Sequence, residues 1–427
     1  MSEFEKFFEY HMQTKHSYFS VRSFPNRLDW DNQPSAFKSY PNSFEKKELD
    51  VEKHNHSFIY YIAGITAKKT YPGVEYYLRV NPSAGALYPN EIYFQSRNND
   101  DLEDGIYHFD IASSSITLLK AIKDEGIEPL LGLENQFDGF LFLVSSIYYR
   151  SSWKYKNRAF RYCLLDAGHI LGSMEASSYA HDKEYEIVYE FKKQELNSLF
   201  GFDEKEFFTS CLKVGKISSN EVRKLELDIP TIDGSYYFEK NELIEKAYMD
   251  SLETNSCKKQ TQKAIFNYQK EFFKEIILKR RSIREFSKQA ISNTQLDTIL
   301  DVLNQAISSD CDESVEIYYV ANRVKELRPG LYKDKNLLKT GDLSSKAGYL
   351  CLEQDLGKSS AVTFFLTTKA KNYQAAYQKA GIIGHRLYLV ANYLGYGCSG
   401  IGAYYDDEVC EFTGEYSQVL YALAIGN

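Results

Sequence analysis

The chain has 427 residues, 43% of them hydrophobic and 26% charged, and its 51 basic against 59 acidic residues give a net charge of −8. That length exceeds the usual size of one hydrophobic core, so a globular protein of two or three folded units is expected. The acidic balance excludes a nucleic-acid binder that relies on neutralising phosphates, but leaves room for a small anionic cofactor held by a few local arginines.

The start, MSEFEKFFEY, lacks the basic region and apolar core of a secretory signal. No apolar run reaches the roughly 20 residues that span a bilayer, so no membrane contact and a cytoplasmic location are expected. The seven cysteines (163, 211, 257, 311, 351, 398 and 410) are scattered with no Cys-x-x-Cys pair. Neither a zinc site nor a disulfide framework is signalled, and the odd count suits a reducing compartment. Residues 1–50 are rich in turn formers and aromatics and read as an extended arm wrapped on the body.

Next comes Pro82-Ser83-Ala84-Gly85-Ala86-Leu87-Tyr88-Pro89. Small residues between prolines describe a loop whose backbone N–H groups can be offered to a ligand, or a plain turn. Glu91-Ile92-Tyr93-Phe94 and Gly105-Ile106-Tyr107 form a hairpin pattern, and Gly139–Tyr149 reads as a buried strand. Trp153-Lys154-Tyr155-Lys156-Asn157-Arg158 leads into a helix over about Asn157–His181, with Phe160, Leu164, Leu171 and Met174 on one face. Asp166 and His169 within it could be taken for an acid/base pair, but a histidine inside a core helix more often packs, and neither is placed in the site. Lys240–Lys263 is polar, lacks strong apolar periodicity and reads as a linker.

The second half opens on Lys279-Arg280-Arg281-Ser282-Ile283-Arg284. On an extended stretch Arg280, Ser282 and Arg284 share one side, and the planar arginine fork suits phosphate, although a basic cluster is often just a solvated face. Ser292-Asn293-Thr294-Gln295 then opens a helix carrying Leu296, Ile299, Leu300 and Leu303. Glu316-Ile317-Tyr318-Tyr319 and Gly330-Leu331-Tyr332 repeat the earlier hairpin with the same spacing of 14 residues. A helix over about Tyr373–Leu394 has an Ala-Gly pair inside, as the first-half helix does. The Gly395–Ala403 stretch, with four glycines in eight positions, reads as a turn allowing close backbone approach. The order of elements points to a duplication: residues 1–50 an arm, 51–239 one unit, 240–263 a linker and 264–427 a second unit.

Several of these strings resemble the SagB-type (McbC/ThcOx-like) dehydrogenases, FMN enzymes of the nitroreductase superfamily. The resemblance rests on Pro82–Tyr88 with Arg79 before it and Glu91 after it, Lys154-Tyr155 with Arg158, Leu165–His169, Arg280-x-Ser282-x-Arg284 and Gly400–Gly402, and it covers roughly Tyr71 to the end. The His11, Lys15 and His16 group resembles an N-terminal motif of the same family, with packing as its simplest role. The resemblance implies an α+β nitroreductase-like fold: a central, mostly antiparallel sheet flanked by helices, duplicated as an intramolecular pseudo-dimer. It implies FMN contacts from Arg280, Arg281, Ser282 and Arg284, from Pro82, Ser83, Ala84, Gly85 and Leu87, and from Gly400, Ile401 and Gly402. Ser308–Glu313 in the second half lacks the Pro-Ser pattern, so one competent and one lost FMN site are expected.

Lys154 and Tyr155 take the catalytic role by the same resemblance. Oxidising a thiazoline or oxazoline to the azole removes a hydride, for the flavin, and a carbon-bound proton, for a base. The substrate is then a ribosomally made peptide, dioxygen the final electron acceptor, and a separate cyclodehydratase the partner that forms the azoline. No ATP-binding P-loop and no metal site are encoded. Two other functions remain open on the residues: an NAD(P)H-driven reductase of nitro compounds or quinones, and a non-catalytic flavin- or peptide-binding scaffold. Monomer and homodimer are both compatible with a duplicated chain acting on a peptide or small molecule.

Overall fold

The computed structural model describes residues 9–23, 27–71, 74–252 and 257–427. The acidic start over residues 1–8 and part of the expected linker, 253–256, lie outside them. The chain divides into two compact units. The first comprises Leu28–Gln262 and Ile307–Asp312; the second takes Lys263–Ala306, Glu313–Asn427 and the described residues up to Arg27. Each unit is therefore discontinuous in sequence, whereas the sequence reading drew contiguous ones.

In the first unit seven strands form one antiparallel sheet in the spatial order Lys46–Glu48, Ser115–Ala121, Gly105–Asp110, Asn90–Arg97, Asn135–Ile147, Glu206–Glu221 and Glu186–Val188. In the second, six strands follow the order Asn336–Thr340, Gly330–Lys333, Glu316–Ala321, Val362–Thr368, Gln418–Gly426 and Gly397–Ile401, again antiparallel. Apart from the extra edge strand at Lys46–Glu48, the two sheets have the same topology. The repeated hairpins pair at matching places. Phe94 opposes Tyr107 with rings 5.1 Å apart and 13° between planes. Tyr319 opposes Tyr332 at 5.2 Å and 5°. Offset aromatic pairs of this kind lock strand register as well as filling the core.

Each unit threads one long helix between its fourth and last strands in this sheet scheme: Ala159–Ala180 in the first and Tyr373–Tyr393 in the second. The sequence suggested one apolar face on each. Instead, 21 of the 22 residues of Ala159–Ala180 are buried, including Asp166, His169 and Glu175. Its polar positions are thus interior positions that need partners. The helix Asn293–Leu303 begins where expected, with the Ser292 hydroxyl accepting from the Gln295 N–H at 3.1 Å.

Two expectations are corrected. Part of the expected linker is a helix, Glu242–Asp250, capped by Asn241 and burying Ile244, Ala247 and Tyr248. That short i, i+3, i+4 stripe is diluted by charged neighbours in the sequence, and it becomes visible once Tyr248 stacks on Phe207 at 3.9 Å. Cys257 and Cys311 form a disulfide across 54 residues. No local spacing announces it; the neighbouring antiparallel bridge between Gln260 and Ser309 brings the two strands of chain together. The other five cysteines are free thiols, four of them buried.

Phe94 is fully buried against Tyr107, Phe140 and Phe142. Phe94→Ala should lower the stability of the first unit by about 3–5 kcal/mol, read by chemical denaturation, because it removes the hub of that cluster. A loss below about 1 kcal/mol would show that the cluster collapses around the gap.

Candidate functional site

The Pro82–Pro89 loop is a tight crest in the first unit. Pro82, Leu87 and Tyr88 are buried, while Gly85 is exposed at the top. Gly85 has φ +65°, and a Cβ there would lie 2.7 Å from the Tyr155 hydroxyl and 3.2 Å from Lys154 Nζ. Only glycine meets both demands. Lys154 and Tyr155, 70 residues away in sequence, are thus brought against the loop they were expected to serve. Leu87 packs in one cluster with Tyr149, Trp153 and Tyr155. This fastens the loop to the Tyr148–Tyr155 helix that carries Lys154.

Beneath the loop lies a buried charge network. Arg150 donates to Glu91 at 2.5 Å and to the Tyr88 carbonyl at 3.0 Å, and His108 shares a 3.0 Å hydrogen bond with the other Glu91 oxygen. An ionised carboxylate only accepts, so the proton sits on His108 Nε2. Arg79, also buried, lies 4.2 Å from the centre of the Tyr88 ring, and its backbone N–H donates to the Tyr88 hydroxyl at 3.1 Å. Burial opposes the charge on Glu91, but Arg150, His108 and Arg79 together outweigh it and hold the carboxyl down at about 2. Burial brings Arg79 down to about 10.

Asp166 is the residue that the sequence reading left out. Its Oδ2 accepts from the Ser83 hydroxyl at 2.5 Å and its Oδ1 from the Ala84 N–H at 3.2 Å. The only signal in the sequence was an ionisable residue in the middle of an otherwise apolar helix. Asn81, next to Pro82, was also missed; its Oδ1 is buried and accepts no hydrogen bond among the described residues.

In the second unit the expected motifs meet through Tyr388. Its hydroxyl lies 2.8 Å from the Ser282 hydroxyl and accepts from the Gly400 N–H at 2.6 Å. Arg280 is buried, with its guanidinium 5.1 Å from the centre of the Tyr388 ring. Burial raises the Tyr388 phenol, which stays protonated and able to donate. Ser282 is half-buried and bridges Cys398, so the arginine motif lies alongside the glycine-rich segment. Arg281 instead turns back onto the carbonyls of Leu278 and Arg280, and Arg284 is exposed. The alternating side expected for Arg280, Ser282 and Arg284 is not realised, because the chain bends at Arg284.

The glycine-rich segment is also not the turn that was expected. Gly395 alone in it takes a left-handed φ, +87°, while Gly397–Ile401 is an edge strand paired with Gln418–Gly426. Gly400 is required there by space: a Cβ would fall 2.0 Å from the Tyr421 hydroxyl. The Ile401 side chain enters the hydrophobic core, leaving its backbone to face outward, and Gly402 follows just beyond the strand. Ser399 between them is buried, and its hydroxyl makes no hydrogen bond among the described residues.

Residues 277–427 match the nitroreductase family, so this segment is a nitroreductase-family domain. A curated protein of Methanocaldococcus jannaschii assigned as a nitroreductase is 33% identical over 95 residues, which are 21% of this chain and 46% of that protein. The match therefore spans about half of that relative. A solved structure from Anabaena variabilis, also assigned as a nitroreductase, is 24% identical and superposes with a TM-score of 0.81 over 99% of both chains. The fold of the whole chain is nitroreductase-like, as the motifs implied. A chain of the Escherichia coli microcin synthetase McbBCD complex matches in part, with a TM-score of 0.32 and 14% identity over 51% of this chain and 94% of that one.

The Glu91 network generates a pH prediction. A carboxyl lowered from 4.5 to about 2 stabilises the fold fully above 4.5, and the contribution is lost as pH falls from there towards 2. Glu91→Gln should flatten the acid limb of the stability profile across that window. At neutral pH it should cost about 3–5 kcal/mol, because Arg150 keeps its buried charge without a counter-ion. Denaturation midpoints across the pH range measure both.

Proposed function

We propose that the chain is an FMN-dependent oxidoreductase that oxidises an azoline ring to the azole on a ribosomally made peptide. The observation that carries this reading is the convergence of Lys154 Nζ and the Tyr155 hydroxyl on Gly85. Two groups able to accept and relay a proton stand at the crest of the small-residue loop. A nitroreductase-family domain over residues 277–427 supports flavin as the cofactor.

The residues fit the cofactor. In the first unit the small side chains of Ser83, Ala84 and Gly85 leave backbone open, and Asn81 Oδ1 is a buried acceptor with no partner among the described residues. In the second, Arg280 and Ser282 suit the phosphate and ribityl chain, with Arg281 and Arg284 adding positive charge nearby. The Gly400–Gly402 backbone and the unmet Ser399 hydroxyl offer polar atoms to the ring system. When bound, FMN supplies a two-electron acceptor for the hydride. Lys154 takes the carbon-bound proton at Nζ, and Tyr155 orients that amine and relays the proton through its hydroxyl. The buried Glu91–Arg150 pair keeps both on the loop by fixing the helix that carries them. The substrate reaches the protein after a partner cyclodehydratase has closed the azoline ring, and dioxygen regenerates the oxidised flavin.

The purified protein should show a flavin absorption spectrum. Arg280→Ala should lose most bound flavin, since it removes a paired donor to phosphate. Lys154→Ala and Tyr155→Phe should keep it while slowing azoline oxidation by about 10²–10⁴-fold, the usual worth of a general base. Rapid NAD(P)H-driven reduction of nitroaromatics or quinones without azoline oxidation would replace this reading with that of a reductase. A colourless protein would leave a peptide-binding scaffold.

A further inference from the structure

Asp166 lies on the Ala159–Ala180 helix, is 3% exposed, and has no part in the proton transfer described above. Its surroundings are specific. Ser83 donates to Oδ2 and Ala84 N–H donates to Oδ1. The Ser83 oxygen in turn accepts from the Tyr88 N–H at 2.9 Å, so its single proton is committed to Asp166. The loop therefore presents two donors and no acceptor to this side chain. Only the ionised carboxylate, with two accepting oxygens, satisfies both; a neutral acid or an amide sets a donor against a donor.

No cation among the described residues pairs with Asp166. What faces it is Ser83 and Ala84 from the loop and, from its own helix, Cys163, whose thiol is pushed up by burial and then by the Asp166 charge. Lys154 and Tyr155 stand at Gly85 instead. Burial without a counter-ion lifts the Asp166 carboxyl from 3.8 to about 7, even against the two hydrogen bonds. The loop itself is strained: Ala86 and Tyr88 take left-handed φ values of 55° and 45° without being glycine. A strained loop stays in place only if something outside it holds it.

We propose that the ionised Asp166 carboxylate is a latch that holds the Ser83–Tyr88 loop in its binding conformation, so that protonating or neutralising it releases the loop and weakens FMN uptake. Asp166 is a positioning residue: it touches the loop, and acts on the cofactor only through it. The link to FMN rests on the function proposed above, whereas the latch itself does not. The latch is closed above about pH 7 and opens as pH falls through that value. The raised carboxyl also has a stability consequence of opposite sense. Between 3.8 and about 7 the folded state holds the extra proton, so stability falls as pH rises through that window and the cost is fully present above it.

The test uses the full chain and the isosteric Asp166→Asn, with Ser83→Ala as a second variant. Amide hydrogen exchange of the flavin-free proteins reads the loop directly. At about pH 8 the Ala84 and Tyr88 amides of the wild type should be protected, and Asp166→Asn should reduce that protection at least about tenfold. Ser83→Ala should expose Tyr88 more than Ala84. Wild-type protection should fall about tenfold for each pH unit below 7, and the variant's should not. FMN titration should then show at least about tenfold weaker binding in Asp166→Asn at pH 8, and a wild-type to variant ratio that shrinks towards one near pH 6. The titration of the FMN phosphate appears in both proteins and cancels in the ratio. Asp166→Asn should melt no lower than the wild type at pH 8, which a purely structural role would not allow. Equal loop protection in the two proteins overturns the latch. Unprotected loop amides in the wild type overturn it too. A latch that works in a chain taking up no FMN overturns the function proposed above and the link to it, and a variant that binds FMN as the wild type does overturns the link alone.

Discussion

The buried carboxylate of Glu91 receives the Arg150 guanidinium at 2.5 Å and the His108 ring at 3.0 Å. Arg150 belongs to the Tyr148–Tyr155 helix, Glu91 to the Asn90–Arg97 strand, and the same guanidinium also holds the Tyr88 carbonyl at the end of the small-residue loop. One ion pair therefore sets the spacing of sheet, helix and loop. Its strength comes from its surroundings. With water excluded, separating the charges would leave each of them buried and unpaired, a far larger cost than the pair contributes when exposed. The positions of Lys154 and Tyr155 over Gly85 follow from that constraint.

A second buried carboxylate reaches the same loop under opposite conditions. Glu91 has cations on its side and is held ionised at every pH where the protein is folded. Asp166 has hydrogen bonds but no cation, and burial leaves its ionisation balanced near neutrality. The first anchors the far end of the loop rigidly, at Tyr88. The second holds the near end, at Ser83 and Ala84, in a way that a proton can undo. Low dielectric strengthens a satisfied charge and penalises an unsatisfied one, so one physical effect yields both behaviours.

The two units share a sheet order, a stacked aromatic pair in the first hairpin and a long buried helix, yet they have diverged where chemistry is expected. The first unit elaborates the connection into the hairpin with Ile65–Tyr71, Val74–Arg79 and the proline-bounded loop. The second retains a direct connection, and places its distinctive residues where Ser282, Tyr388 and Gly400 join. Tyr388 matters because one hydroxyl ties three distant segments together, a role with no local sequence pattern.

The amino-acid sequence by itself determined the elements whose information is local. The two hairpins, the strand through Phe140, the capped helix at Ser292 and the two long helices follow from periodicity and capping chemistry. The loop at Pro82 and the arginine motif stood out by composition. Tertiary structure alone decided which of those local features meet. It turned the glycine-rich stretch into an edge strand, because Gly397–Ile401 finds the open side of Gln418–Gly426. It separated Arg284 from Arg280, joined Cys257 to Cys311, and gave Asp166 its loop. The physical reason is the same in each case. Periodicity reports which face of an element is apolar, whereas a buried polar group is explained only by the partner that satisfies it, and that partner comes from another part of the chain.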